Sequence, residues 1–283
     1  MNQDFYIPSQ VALITGGNVG IGRITAIELA KKGFKVVIAG RSLERTQPVL
    51  NHINSLEVDE QAIFLPLDLA SLASVRECVR LFLQLNLPLH LLINNAGVAG
   101  LRGLSKDGFE MTFGVNHLGH FLLTQLLLEK MQSSGLSRIV TVSSRAHKRA
   151  ASIDWDALSR PTSSWTGIRE YAVSKLANLL FSAELAKRVQ GTSVSTYSLH
   201  PGVVDTEIWR SVPDWVRPLL RLRGFLTPEE GALTTLHCAM HAPQQESGLY
   251  YADSKPMQPA SLGRNAELAA ELWRRSEEWV SQS

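Results

Sequence analysis

The sequence predicts an α/β fold, a doubly wound parallel sheet of about seven strands with helices on both faces. Three observations carry this. Short apolar runs alternate with longer segments of helical periodicity, the pattern of successive βαβ units. Leu89–Ile93 reads as the apolar run of a central parallel strand, buried on both faces. The chain has 283 residues, 45% hydrophobic and 19% charged, without a low-complexity tract, an internal repeat or a Pro/Ser-rich linker. That fits one domain over residues 1–283 better than two small ones.

Charge and cysteine content narrow the functional classes. The net charge is +2, from 28 basic and 26 acidic residues, with no block of like charges, which argues against nucleic acid as a partner. Cys78 and Cys238 fall inside predicted helices among apolar neighbours, as buried free thiols of a reducing compartment do. Met1–Gln10 is polar, with neither a signal-peptide core nor a membrane-spanning run, so a soluble cytoplasmic protein is expected.

Val11–Thr15 is the first strand. It runs into Gly16-Gly-Asn-Val-Gly20-Ile-Gly22 and a helical pattern, Arg23–Lys32. Strand, glycine turn and helix in that order make the context of a phosphate-binding loop. Glycines let the backbone turn tightly and approach a pyrophosphate, and the free amides at the helix start face the anion. Lys35–Ala39 is the second strand and ends in Gly40-Arg41-Ser42. An acid here would accept ribose hydroxyls, whereas Arg41 offers a fixed positive charge suited to a 2′-phosphate. NADP(H) is therefore favoured over NAD(H), with a solvated surface arginine as the alternative. Ala62–Leu67 is the third strand, followed by Asp68-Leu69 and a helix over 71–85. Asp68 faces the adenine, caps that helix, or does both. After Leu89–Ile93 come Asn94-Asn95-Ala96-Gly97, two amides and small residues where a cofactor backbone would pass, although a type I turn also favours Asn and Gly.

A helix is expected over Asp107–Met131, yet it contains Asn116 and Gly119. Asn is a poor mid-helix residue and Gly costs about 1 kcal/mol against Ala, so something else should justify both. Arg138–Ser144 reads as a strand with two serines at its carboxyl end, where open α/β sheets place ligands. Residues 145–169 then form a long substrate-side excursion outside the sheet. In the helix over Glu170–Val189, Tyr171 and Lys175 share a face at i,i+4, with Cβ atoms roughly 5–6 Å apart. An ammonium there would lower the tyrosine pKa from its usual value near 10, making an acid–base pair. Thr192–Leu199 is a sixth strand, followed by His200-Pro201-Gly202-Val-Val204-Asp-Thr206. The second substrate-side segment is 207–226. Within it, 214–226 mixes apolar bulk with arginines and suits a lid over an apolar substrate, peripheral contact with a membrane, or a surface helix with one buried face. Thr227 begins a well-capped helix, Gly248–Ala252 is a last strand and Asn265–Val280 a final helix. His237 and His241 share a helix face without a third ligand nearby, so no metal site is expected. No Gly-x-Ser-x-Gly surrounds Ser144, which argues against a serine hydrolase.

These motifs, in this order, resemble the short-chain dehydrogenase/reductase family over nearly the whole chain. Ser143-Ser144-Arg-Ala-His147, Ser174-Lys175-Leu-Ala-Asn178 and the run from His200 look most like its retinol dehydrogenase-like branch. The resemblance implies a single Rossmann-type domain and a catalytic tetrad of Asn116, Ser144, Tyr171 and Lys175. It implies a cofactor site built from Gly16, Asn18, Gly20, Ile21 and Gly22, from Arg41, Asp68 and Leu69, and from Asn95, Ala96 and Gly97. Tyr171 and Lys175 join that site, with Pro201, Gly202, Val204 and Thr206 holding the nicotinamide. Tyr171 would protonate the substrate oxygen, Lys175 would lower its pKa and hold the ribose, Ser144 would donate a hydrogen bond to that oxygen, and Asn116 would fix a water leading from Lys175 to solvent. Ser144 is chosen over Ser143 by resemblance alone.

The function so implied is NADP(H)-dependent hydride transfer between nicotinamide and a carbonyl or alcohol, on an apolar substrate such as retinal/retinol, in a homodimer or homotetramer. Two alternatives stand beside it: an NADP(H)-binding regulatory protein without turnover, which loss of a tetrad residue would favour, and a reductase of a ring double bond, as in protochlorophyllide reductases, which a substrate panel separates.

Overall fold

Every apolar run read as a strand is one, and together they make a single sheet. In the computed structural model, which describes residues 10–56, 61–203 and 226–282, the strands are β1 (Val11–Thr15), β2 (Lys35–Gly40), β3 (Ile63–Pro66), β4 (Leu91–Asn94), β5 (Ser137–Val142), β6 (Val194–His200) and β7 (Tyr250–Ala252). A two-residue β8 (Lys255–Pro256) adds an antiparallel edge. The order is β3-β2-β1-β4-β5-β6-β7-β8, parallel through β7.

Among the described residues, seven helical segments cover the sheet: α1 (Gly20–Lys31), α2 (Leu43–Asn54), α3 (Leu72–Gln84), α4, α5 (Ile168–Arg188), α6 (Pro228–Met240) and α7 (Ala266–Ser281). α4 is composite, running from Met111–Phe113 through a π-helical turn, Gly114–Leu118, into Gly119–Ser133. Successive strand residues point to opposite faces, and this parity builds two cores. Leu13, Val37, Leu92 and Ile139 pack with α3, α4, α5 and α7. Their neighbours Ile14, Ile38, Ile93 and Val140 pack with α1, α2 and α6. Trp273 of α7 stacks on Phe181 of α5 at 5.7 Å and meets Phe121 of α4 edge-on at 5.0 Å. Cys78 and Cys238 lie in α3 and α6, buried and free.

Several details differ from the expectations. α2 carries Pro48 in its interior and shows no clear start in the sequence beyond Ser42, whose hydroxyl caps it by accepting from the Arg45 amide. The Asp107 helix begins later, at Met111, because the buried Glu110 carboxylate accepts from the Phe113 amide. The π-turn accounts for an asparagine in mid-helix. Gly119 follows because a Cβ there would lie 2.6 Å from the Leu69 carbonyl oxygen, so α4 could not approach the loop after β3. β5 ends at Val142, leaving Ser143 and Ser144 beyond the strand. Asp68 does not cap α3. Ser71 does, while the Asp68 carboxylate accepts from its own turn at Ala70 and pairs with Lys106 at 3.1 Å.

Residues 145–169 lie outside the sheet, with 3-10 turns at Arg145–Arg149 and Asp156–Ser159. The excursion is tied down over its second half. The Thr162 hydroxyl donates to Glu110, and the Glu170 carboxylate in the first turn of α5 accepts from the Ser163 and Ser164 amides. Gly167, at φ +68°, passes so close to Gly100 that a Cβ would come within 2.8 Å of the Gly100 Cα. The predicted segment 207–226 lies outside the described residues except for Leu226, whose amide donates to the Val203 carbonyl. Among the described residues no helix is long and apolar enough to cross a membrane.

Candidate active site

The strand order reverses between β1 and β4, and the loops leaving the carboxyl ends of β1, β4, β5 and β6 gather around that crevice, the ligand position of open α/β sheets. The loop after β1 reverses direction through Gly16 (φ +65°) and Gly20 (φ +53°). A Cβ on Gly22 would lie 2.4 Å from both the Gly16 carbonyl oxygen and the Asn95 amide nitrogen, so only glycine lets α1 start this close to the loop. No side chain caps α1 at Val19, leaving first-turn amides open toward an anion. Asn18, Gly20 and Ile21 form the partly exposed rim. This cradle fits the pyrophosphate of a dinucleotide.

The loops after β2, β3, β4 and β6 complete it. Arg41 is exposed at the end of β2, beside the N-terminus of α2. Leu69 sends its side chain into the core, so it can meet a cofactor through its backbone alone. The Asn95 side-chain amide donates to the carbonyls of Thr15 (2.8 Å) and Gly16 (3.3 Å). The Thr15 hydroxyl accepts from the amides of both Asn95 and Ala96 at 3.0 Å. One buried threonine thus holds the β1 and β4 loops together. Gly97 faces the tetrad, where an added Cβ would stand 3.4 Å from both Asn116 Oδ1 and Lys175 Nζ. Gly202 (φ +90°) follows Pro201 after β6. Val204 and Thr206 lie outside the described residues.

The four tetrad residues converge from three elements. Asn116, fully buried in the π-turn, clamps the β4 loop: its Oδ1 accepts from the Val98 amide at 2.8 Å, and its Nδ2 donates to the Val98 carbonyl and to Ser174 Oγ, both at 3.0 Å. Asn116 therefore links that loop directly to α5. The two serines separate cleanly. Ser143 Oγ is buried and donates to the Lys175 carbonyl at 2.6 Å, a structural bond. Ser144 caps the turn at Arg145, its hydroxyl accepting from the Ala146 amide at 3.1 Å, and it stands on the Tyr171 side, where it favours the ionised form of that hydroxyl.

Lys175 lies deep in α5, 2% exposed, with Nζ donating to the Val142 carbonyl at 2.9 Å and 5.7 Å from the centre of the Tyr171 ring. The expected lowering of the tyrosine pKa is not found. Burial pushes the Tyr171 hydroxyl above its usual value, partly offset by the Ser144 side chain. Burial also pushes Lys175 down, to about 7. Spacing along a helix fixes which residues are neighbours but not how dry they are, and desolvation disfavours the charged form of each.

Two histidines that sequence reasoning left without a role belong to the site's scaffold. His147 Nδ1 donates to the Ser144 carbonyl at 2.6 Å, with Nε2 accepting from the Ala260 amide. His120, one helical turn beyond Asn116, is buried between α4 and the β1 loop. The signal available in the sequence was its i,i+4 spacing from an out-of-place asparagine. His237 and His241 sit side by side on α6. Among the described residues there is no group of three or more potential metal ligands.

Comparison with known proteins places the fold and the family. The family model for short chain dehydrogenases matches residues 10–157. Dehydrogenase/reductase SDR family member 13 from Bos taurus is 42% identical over 273 residues, covering 94% of this chain and 72% of its own length. Retinol dehydrogenase 12 from Mus musculus is 44% identical over 275 residues, covering 94% and 85%. A solved structure of an uncharacterized protein from Mycobacterium Paratuberculosis superimposes with a TM-score of 0.77 at 30% identity, over 97% of this chain and 95% of that one.

Proposed function

This chain belongs to the short-chain dehydrogenase/reductase family of oxidoreductases, and from that premise we propose that it transfers hydride between NADP(H) and an apolar carbonyl or alcohol, with retinal/retinol as the model pair. The observation that carries the reading is the convergence at the cradle's edge: Lys175 Nζ lies 5.7 Å from the centre of the Tyr171 ring, and a Cβ on Gly97 of the β4 loop would stand 3.4 Å from that same Nζ. The cofactor, when bound, supplies or accepts the hydride.

The chain's own residues do the rest. Because burial keeps Tyr171 protonated at neutral pH, it is ready to donate its proton to a substrate oxygen as negative charge builds there. Ser144 donates a second hydrogen bond to the same oxygen, a preorganised dipole aimed at the developing charge. Lys175, titrating near 7, has the right proton affinity to reprotonate the tyrosine at neutral pH. Asn116 holds the β4 loop against α5, fixing the distance between cradle and tetrad. Alcohol oxidation is the same sequence reversed. Arg41 supports the 2′-phosphate of NADP(H), since no acid occupies its position. Similarity to a protein called retinol dehydrogenase supports an apolar substrate. A cytoplasmic location and a homodimer or homotetramer complete the proposal; light scattering on the purified protein tests the assembly.

The experiment is cofactor consumption with NADPH and, separately, NADH against retinal, straight-chain aldehydes and aromatic ketones. Turnover should prefer NADPH and vanish in Tyr171→Phe, with NADPH still bound. Arg41→Ala should lower the preference for NADPH by about tenfold, one charged hydrogen bond's worth. Substantial activity in Tyr171→Phe would remove the proton-donor assignment.

A further inference from the structure

His120 occupies a position with no direct access to a substrate: it is 1% exposed, beneath the tetrad and behind the glycine loop. Both its ring nitrogens are nonetheless engaged. Nδ1 lies 3.0 Å from the Asn116 carbonyl oxygen and Nε2 lies 2.8 Å from Thr15 Oγ1. The proton positions follow from the partners. A carbonyl oxygen can only accept, so Nδ1 carries the proton and Nε2 is the acceptor. The Thr15 hydroxyl therefore donates to Nε2, leaving its lone pairs for the amides of Asn95 and Ala96. Its other potential acceptor, the Ile93 carbonyl, is more distant at 3.4 Å. The imidazole is neutral, with burial pushing its pKa down to about 4, so this single tautomer holds across the physiological range.

We propose that His120 is a positioning residue that couples the tetrad to the cofactor cradle. Through Nδ1 it fixes the Asn116 carbonyl inside the π-turn, and through Nε2 it orients the hydroxyl that gathers the β1 and β4 loops. The inference rests on the proposed dinucleotide chemistry of the site and assigns one side chain the task of keeping its two halves in register. A leucine would fill much of the same core space. It would leave the Asn116 carbonyl without this partner and free the Thr15 hydroxyl to turn elsewhere.

Two near-isosteric substitutions divide the link. In His120→Asn the side-chain amide nitrogen overlays Nδ1 and keeps the bond to Asn116, but nothing reaches Thr15. In His120→Gln the terminal amide overlays Nε2 and keeps Thr15, but the Asn116 carbonyl loses its donor. The expected result is a split. His120→Asn weakens NADPH binding, read by fluorescence titration, by about tenfold with a smaller change in kcat. His120→Gln lowers kcat by about tenfold with a smaller change in NADPH Kd. His120→Leu does both, and if it fails to fold the Asn/Gln pair still carries the test.

Equal effects of Asn and Gln on both quantities, or losses in both that track Tm, would make His120 an ordinary core residue and overturn the proposal. NADPH titration does not depend on turnover. A protein that shows the binding difference between Asn and Gln but reduces no carbonyl would refute the catalytic reading while supporting the link. Carbonyl reduction without the split would refute the link alone.

Discussion

Lys175→Met should make the protein more stable and catalytically dead. The lysine is 2% exposed, and burial lowers its pKa from 10.5 to about 7. One pKa unit corresponds to about 1.4 kcal/mol, so the charged form is disfavoured by at most about 5 kcal/mol relative to the unfolded chain, most of which is felt at pH 7. The hydrogen bond lost with the ammonium is covered, because the Val142 carbonyl also accepts from Asn178 Nδ2 at 3.1 Å. Methionine is unbranched, of similar length, and fills the same channel. The sign with pH is fixed. Between about pH 7 and 10.5 the unfolded chain holds one proton more than the native state at this site, so wild-type stability rises with pH, by roughly 2 kcal/mol from pH 7 to 9. The buried thiols, Cys78 pushed up to about 12 and Cys238 also raised, work in the opposite direction but are shared by both proteins and cancel in the comparison. Urea unfolding of the cofactor-free proteins at pH 7 and pH 9, followed by tryptophan fluorescence, reads the effect. Lys175→Met should exceed wild type by a few kcal/mol at pH 7, and the gap should shrink at pH 9. A variant no more stable than wild type at pH 7, or a gap indifferent to pH, would refute the claim that this lysine is held against its solvation.

Three other outcomes are expected. Ser144→Ala should lower kcat by about a hundredfold, in the range for a lost oxyanion donor. Ser143→Ala should leave kcat within a few-fold and lower stability by about 1 kcal/mol, and the reverse ranking would reassign the serine. Gly22→Ala should weaken NADPH binding at least tenfold in a titration, because the new methyl meets the Gly16 carbonyl at 2.4 Å; unchanged affinity would show that the loop yields. In acid, His117 (about 3), His120 (about 4) and His200 (about 4) stay neutral in the fold while the unfolded chain takes up protons below about 6.5. Stability should therefore fall as pH drops from 6.5 to 4, with a slope approaching about 4 kcal/mol per pH unit from these three groups. A Tm indifferent to pH between 7 and 5 would contradict their burial.

The features legible in the sequence are those written locally. Strands β1, β4 and β5 are short apolar runs, and the cradle is a strand, a glycine-rich turn and a helix in direct succession. Tyr171 and Lys175 share a face at a spacing set by helical geometry alone. What escaped depends on partners far along the chain. Pro48 obscures α2, whose place is required by the parallel β2–β3 connection. The choice between Ser143 and Ser144 turned on where β5 stops, two residues earlier than its apolar pattern suggests. Asn116 and Gly119 were visible as misfits, but their reasons, a clamp on Val98 and close passage of Leu69, lie at separations no periodicity reports. The direction of the Tyr171 shift escaped because burial comes from the assembled core.

The position of α7 bears on how the protein comes into being. Trp273 closes the aromatic cluster over Phe121 and Phe181, Ser276 meets His117 at 3.0 Å, and Arg76 reaches the Val280 carbonyl at 2.6 Å. The helices that hold Asn116 and Lys175 are thus roofed by a segment made well after either of them. During synthesis the glycine cradle is present early, while the tetrad's supporting core stays open to water until residues 266–281 arrive. Maturity of the site therefore waits for α7, and a chain truncated before residue 266 would have the cofactor loop in place and its greasy interior exposed, a natural client for chaperones and proteases.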